Sequence, residues 1–315
     1  MVANPNIWEQ LTELAKQVPI EDWKNFIGTK SFAEKEIKVH EHGFVRLVEV
    51  QGSDQSIENA ARISYGTGTR KTSETRTLLR YLVRHKHTSP LEMGGVVFHI
   101  KCPIFVMRQL VRHRTASLNE YSARYSELSD DFYIPEPDYI KPQSVTNKQG
   151  RGGEFSEGFK EEVQLDMKEC IDQSYATYKG LANTGLSREL ARIVMPVAGY
   201  TECVWKINLH NFFHFATLRT DSHAQQEIQD FANAMVTLLE PHFPISFEAW
   251  RDYQKESRSL SRMEQVLLQD LVVATAHNGI RKGIAMVKEE NPEDYEMSKR
   301  EWDEFFGWYS SIILK

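Results

Sequence analysis

GVVFHIKCPIFVMRQLVRHRTASLNEYSARY, residues 95–125, changes its periodicity halfway along. The first part alternates, with Val96, Phe98 and Ile100 on one face and Val97, His99 and Lys101 on the other, the pattern of a half-buried strand. Pro103 then stands where a helix tolerates proline best, in its first turn. PIFVMRQLVR reads as a short helix that delivers Arg112, His113 and Arg114 at its end. The segment after it is polar and reads as irregular. Arginine is costly to desolvate and is rarely buried without a partner. Arg112, Arg114 and Arg124 beside an apolar element are therefore either a solvated, salt-bridged helix end or a cradle for an anion with more than one phosphate.

The flanking sequence extends the strand–helix pattern. FVRLVEV, residues 44–50, and residues 201–207 alternate as strands. Helices are expected near 56–62, 72–84, 156–184, 188–195, 208–219 and 222–240. Gly66 and Gly68 mark a turn, Ser156 and Ser187 stand at helix starts, and Gly185, Pro196 and Pro241 stand at helix ends. PQSVTNKQGRGGE, residues 142–154, is expected to be a mobile surface loop. The sum is an α+β fold, a mixed or antiparallel sheet flanked by helices. Three parts are expected: a helical leader over 1–40, a catalytic domain over 41–255 and a helical extension over 256–315 with two helical patterns.

Composition narrows the function. Lys plus Arg is 38 against 44 for Asp plus Glu, a net charge of −6, so a broad nucleic-acid-binding face is not expected. Cys102, Cys170 and Cys203 lie far apart with no CxxC pair, which argues against a disulfide framework and suits a reducing, cytoplasmic setting. The first residues lack a basic stretch followed by an apolar one, so no signal peptide is expected. No apolar run approaches the roughly 20 residues of a membrane helix.

Three segments concentrate chemistry: 84–93, 109–125 and 187–225. In the second, arginine forks match phosphate oxygens, Ser117 and Ser122 offer hydroxyls, and Gln109 and Asn119 suit the amide edge of a base or a flavin-like ring. In the third, His210 and His214 have the spacing of a metal-chelating pair on a helix, or are ordinary core or surface histidines. In the first, His85, His87 and Glu92 are a metal pair, an acid/base pair or a polar turn around Pro90. Ser122 lacks the GxSxG elbow of a hydrolase, and no cysteine sits in an electropositive cluster. A metal-dependent nucleotide phosphohydrolase and a nucleotide- or RNA-binding protein stand as rival readings.

RHRTASLNEYSARY, residues 112–125, resembles the RHRxxSxNxxSxRY signature of the flavin-dependent thymidylate synthases. HTSPLEM upstream and ARIVMP and LRTDSHAQ downstream resemble that family's other blocks, in the same order. The resemblance covers about residues 44–250; the leader, the Gly-rich loop near 150 and the tail lie outside it. It implies conversion of dUMP to dTMP, with carbon from 5,10-methylenetetrahydrofolate and reducing equivalents from NADPH through FAD, in a homotetramer with FAD between subunits. It needs no cysteine nucleophile, no metal, no nucleic acid and no membrane.

By matching positions, the resemblance places Arg112, His113 and Arg114 at the FAD diphosphate. Ser89, Glu92, Asn119, Glu120, Asn208, His210, His214 and His223 complete the FAD and folate-facing set. Gln109, Glu120, Tyr121, Ser122, Ala123, Arg124, Arg192 and Arg219 form the dUMP site. Arg219, Ser122 and His87 fall at positions tied to catalysis, Arg219 holding the uracil near the flavin and His87 gating folate or proton access. Met93 stands where the family usually has His, and His214 where some members have Asn.

Overall fold

The computed structural model describes residues 36–63, 74–124, 127–145 and 150–313. They form two compact units, divided between Lys255 and Glu256.

The first unit is built on five strands, β1 (Glu36–Val39), β2 (Gly43–Gln51), β3 (Gly95–Pro103), β4 (Ser117–Glu120) and β5 (Tyr200–Asn208). Their order is β1-β2-β3-β5-β4, and every neighbouring pair is antiparallel. The alternation seen in the sequence sorts the two faces. Val45, Leu47, Val96, Phe98, Ile100, Cys203, Trp205 and Ile207 are buried on one. The other carries a polar ladder in which His99 contacts Arg46 and Glu202, and Arg46 reaches Glu36. A bulge between Leu47 and Glu49 shifts the β2–β3 register and ends the alternation of β2.

The helices are α1 (Asp54–Ile63), α2 (Thr75–Arg84), α3 (Ile104–Leu110), α4 (Glu157–Asn183), α5 (Arg188–Ala191), α6 (Leu209–Arg219), α7 (Gln226–Leu239) and α8 (Pro244–Trp250). All but α4 and α5 bury residues in the core on the apolar face. The centre of the core is aromatic: Trp205, Phe212, Phe213, Phe215, Phe247 and Trp250 are all buried. Phe213 stacks on Trp250 with centroids 5.6 Å apart, and the Trp250 indole N–H donates to Thr217 Oγ1 at 2.9 Å. Helix α6 is thus gripped along most of its circumference, which fixes the direction of its end at Arg219.

Four expectations change. The segment after Arg114 contains β4, because its backbone pairs with the outer edge of β5, and Tyr121 N–H continues the ladder to Glu202 O at 2.8 Å. The last residues of the expected helical leader form β1, so the sheet begins before residue 41; residues 1–35 lie outside the described residues, as do Gly66 and Gly68. Helix α8 has no counterpart in the sequence reading. Its start is capped by a residue some 190 positions away: buried Asp54 accepts from Ile245 N–H at 2.7 Å, Ser246 N–H at 3.1 Å and the Ser246 hydroxyl at 2.6 Å. The fourth change is in the tail.

The second unit has three helices, α9 (Arg262–Asn278), α10 (Ile280–Lys288) and α11 (Lys299–Ile313), where two helical patterns are expected. Ser261 and Glu264 form a capping box at the start of α9. Gly283 lets α10 cross α9 closely, since a Cβ there would lie 2.6 Å from Thr275 Cα. Leu267, Leu271, Trp302, Phe305 and Tyr309 make its own core. No described helix of the chain is long and apolar enough to cross a membrane.

Asp54→Ala strands three donors at the α8 N-terminus and should lower unfolding free energy by roughly 2 kcal/mol. Urea denaturation reads this directly; a change below about 0.5 kcal/mol contradicts the assigned cap.

Candidate active site

Partnering divides the arginines of the first unit into two sets. Arg46, Arg62, Arg76, Arg80, Arg124, Arg151 and Arg251 each meet a carboxylate. Among the described residues Arg112, Arg114, Arg192 and Arg219 meet none, and neither do Arg84 and Arg108 on exposed helix surfaces. Arg219 and Arg192 are partly buried and still lack a carboxylate partner, and Arg219, at the end of α6, is the one held by a neutral side chain. Burial, and then the like charge of Arg112, hold its guanidinium below the ordinary arginine value. Two guanidiniums that repel each other with no carboxylate between them form a site prepared for an anion.

His113 makes that site rigid. It ends the turn after α3, where its N–H bonds to Leu110 O at 3.1 Å, and it is 9% exposed. Arg219 Nε donates to His113 Nε2 at 3.1 Å. A guanidinium can only donate, so Nε2 carries the lone pair and the ring is the neutral Nδ1–H tautomer. The electrostatics agree: burial first, then Arg219 and His214, lower its pKa from 6.5 to about 4. Phe215 packs edge-on against the ring at 5.0 Å, and His214 lies 6.1 Å away. The arrangement fixes Arg219 through Nε and leaves the outer fork of its guanidinium for a ligand.

The remaining expected residues fall into separate patches of the first unit. Gln109, in the last turn of α3, donates to Gln225 Oε1 at 2.6 Å, which ties it to the turn after α6 that carries His223. Asn119 and Glu120 are on β4, and Glu120 accepts from Thr201 at 2.8 Å. Tyr121, Ser122 and Ala123 follow, and Arg124 pairs with Glu189 of α5 at 2.7 Å, close in sequence to Arg192. Tyr125, which closes the signature, lies outside the described residues.

A third patch sits at the opposite end of α6. There Leu209 N–H bonds to Gly94 O at 2.9 Å, which joins the 87–94 segment with His87, Ser89 and Glu92 to Asn208 and His210. Helix α6 has 11 residues, so about 16 Å of helix separates this patch from Arg219. Asn208 also caps the helix, accepting from Asn211 N–H at 2.9 Å. His210 and His214 share the outward face of α6. No group of three or more His, Cys, Asp or Glu among the described residues could hold a metal.

Several neighbours of these residues carry no sequence signal. Gln225, Glu189 and Thr201 are partners made by the fold. Tyr139, Lys141 and Arg151 on one side and His223, Gln225 and Gln226 at the start of α7 on the other surround a cavity of about 480 Å³. Both sheet thiols are disqualified as nucleophiles: burial raises Cys102 well above its ordinary value and Cys203 to about 12, and both are further raised by neighbouring negative groups.

An antiparallel sheet with helices on its apolar face, and with Arg112, Arg114 and Arg219 free of carboxylate partners, suits a protein that binds phosphorylated ligands. Residues 46–245 match the family described as thymidylate synthase complementing protein. A flavin-dependent thymidylate synthase of Dictyostelium discoideum is 50% identical over 237 residues, covering 73% of this chain and 78% of that protein. One from Ehrlichia ruminantium (strain Gardel) is 42% identical over 299 residues, covering 95% and 94%. Among solved structures, the UMP/dUMP methylase PolB from Streptomyces cacaoi, bound with 5-Br dUMP, is 31% identical at a TM-score of 0.63, covering 70% of this chain and 99% of that one. The chain belongs to the flavin-dependent thymidylate synthase family.

In the ligand-free protein the His113 ring should titrate near pH 4 by NMR, and a midpoint above 6 contradicts its assigned environment. Because the unfolded ring binds its proton more readily, stability should fall as pH drops from about 6.5 toward 4 and be indifferent to His113 above that window.

Proposed function

We propose that the chain is the flavin-dependent enzyme that methylates dUMP to dTMP. The carbon donor is 5,10-methylenetetrahydrofolate, and NADPH is the source of reducing equivalents. The observation that carries this reading is Arg219, held by neutral His113 at 3.1 Å with no carboxylate in contact, its guanidinium further opposed by the like charge of Arg112. Delivering a methylene carbon as a methyl group requires a two-electron reduction, and bound FAD would supply that hydride chemistry. The chain's own residues supply binding, position and charge.

In this reading Arg112, His113 and Arg114 hold the FAD diphosphate. Ser122, Arg124 and the backbone of Tyr121 and Ala123 hold the dUMP phosphate, with Gln109, Glu120 and Arg192 around it. The surface pair Arg124–Glu189 is weak enough for a phosphate to take over the guanidinium. Arg219, oriented through Nε by His113, presents its fork to the uracil. His223 and Asn119 line the flavin. The two buried, unreactive thiols fit a reaction that does not start from an enzyme cysteine.

Ser89, Glu92, Asn208 and His210 stand at the other end of α6 from the arginines. A homotetramer with FAD between subunits reconciles the two patches, because one copy supplies the arginines and another the Asn208 end, with His87 and His214 facing the folate. A reducing cytoplasm suits the free buried thiols. The metal-dependent phosphohydrolase alternative lacks a ligand set among the described residues.

Arg219→Ala should lower kcat/KM for dTMP formation by at least about 10²–10³-fold, whereas near-wild-type turnover would show that the uracil is held elsewhere. Ser122→Ala, which removes one phosphate contact, should raise KM for dUMP and retain measurable kcat. Complete loss of turnover with intact dUMP binding would make Ser122 a nucleophile.

A further inference from the structure

Helix α7 carries two buried or half-buried carboxylates three residues apart, Glu227 and Asp230, and both are committed to the chain segment that precedes α4. Glu227 is 1% exposed. Arg151 Nη2 reaches its two oxygens at 2.7 and 2.8 Å, and the Tyr133 hydroxyl donates to it at 2.9 Å. The other arm of Arg151 donates to Tyr139 O at 3.2 Å. Asp230 accepts from the Tyr139 hydroxyl at 2.9 Å and from Gln226 at 2.9 Å, and it meets His40 Nε2 at 3.0 Å. Arg151 itself lies at the base of a short ladder, with Ser144 N–H on Gly150 O and Gly152 N–H on Pro142 O, both at 2.9 Å.

Tyr139, Arg151 and Gln226 of this network also line the cavity of about 480 Å³. One wall is formed by Tyr139, Lys141, Gly150 and Arg151; the other holds His223, Gln225 and Gln226. Gln225 is the residue hydrogen-bonded to Gln109. A carboxylate as deep as Glu227 is costly unless paired, so releasing the wall strands a buried charge. The wall is therefore held shut whether or not a ligand is present, and a ligand entering the cavity meets a preformed surface.

We propose that Arg151 is a positioning residue: its ion pair with Glu227 latches Tyr139, Lys141 and the Gly150–Gly152 stretch onto α7 as the fixed outer wall of the FAD site beside His223. The assignment of FAD rests on the reading given under Proposed function. The latch itself rests on the hydrogen bonds of Arg151, Glu227 and Tyr139. Lysine cannot replace Arg151 fully, since one ammonium cannot span both Glu227 oxygens and the Tyr139 carbonyl.

The test compares the wild-type protein, Arg151→Lys, and the double variant Arg151→Met/Glu227→Gln, which removes the latch without stranding a charge. Melting temperature, FAD dissociation constant by flavin fluorescence and amide hydrogen exchange over 137–152 are measured for each. The double variant should melt within a few degrees of wild type, lose protection at Ser144 and Gly152, and bind FAD about tenfold more weakly; Arg151→Lys should fall between. A double variant with wild-type melting, protection and FAD affinity overturns the proposal. If the double variant does not fold, Arg151→Lys decides, and unchanged FAD affinity in it overturns the latch. If the wild-type protein itself takes up no FAD, the flavin reading fails separately, and the exchange data alone decide: unchanged protection in the double variant rejects the latch, lost protection supports it.

Discussion

The contact between Arg219 Nε and His113 Nε2 is the constraint around which the site is organised. It joins the end of α6 to the turn after α3, two places brought together only by the fold. It works because the imidazole is neutral, and the imidazole is neutral because the aromatic core buries it beside a guanidinium. A protonated ring would repel Arg219, and a carboxylate in its place would neutralise the positive charge that a phosphate-bearing ligand needs. The imidazole orients the cation without spending its charge.

Rigidity upstream serves the same end. Phe212, Phe213 and Phe215 of α6 are buried against Trp205, Phe247 and Trp250, so the direction of Arg219 is set by the packing of the helix's inner face. Asn208 caps one end of that helix, and Asp54 organises α8 against it from across the chain. The protein places its mobile-looking chemistry, arginine forks and carboxamides, on elements whose own positions are decided by large apolar contacts and buried caps. The Arg151–Glu227 pair extends the principle to a segment outside the sheet and helices.

Much of this was legible in the sequence because period and residue type agreed. The alternation of residues 95–102 and the Pro103 break announced β3 and α3, and the arginine–serine–asparagine spacing of residues 112–124 announced the family. What was not legible depends on partners remote in sequence. SLNE has no strand pattern and becomes β4 only because β5 has a free edge. Pro244 begins a helix whose cap is Asp54. Residues 142–154 read as a loop, and nothing local announces that Arg151 is anchored to Glu227. The division of the expected site residues between the two ends of α6 is likewise a property of the fold. A motif names which residues act, and only the packed chain says which of them can act together from one copy.

The most direct test is the visible absorption spectrum of the purified protein under anaerobic conditions, before and after NADPH is added with dUMP. The account predicts an oxidised-flavin spectrum, native or restored by added FAD, that bleaches on reduction and yields dTMP once 5,10-methylenetetrahydrofolate is supplied. A protein that stays colourless after incubation with FAD would contradict it, because the carboxylate-free arginines would then serve a different anion.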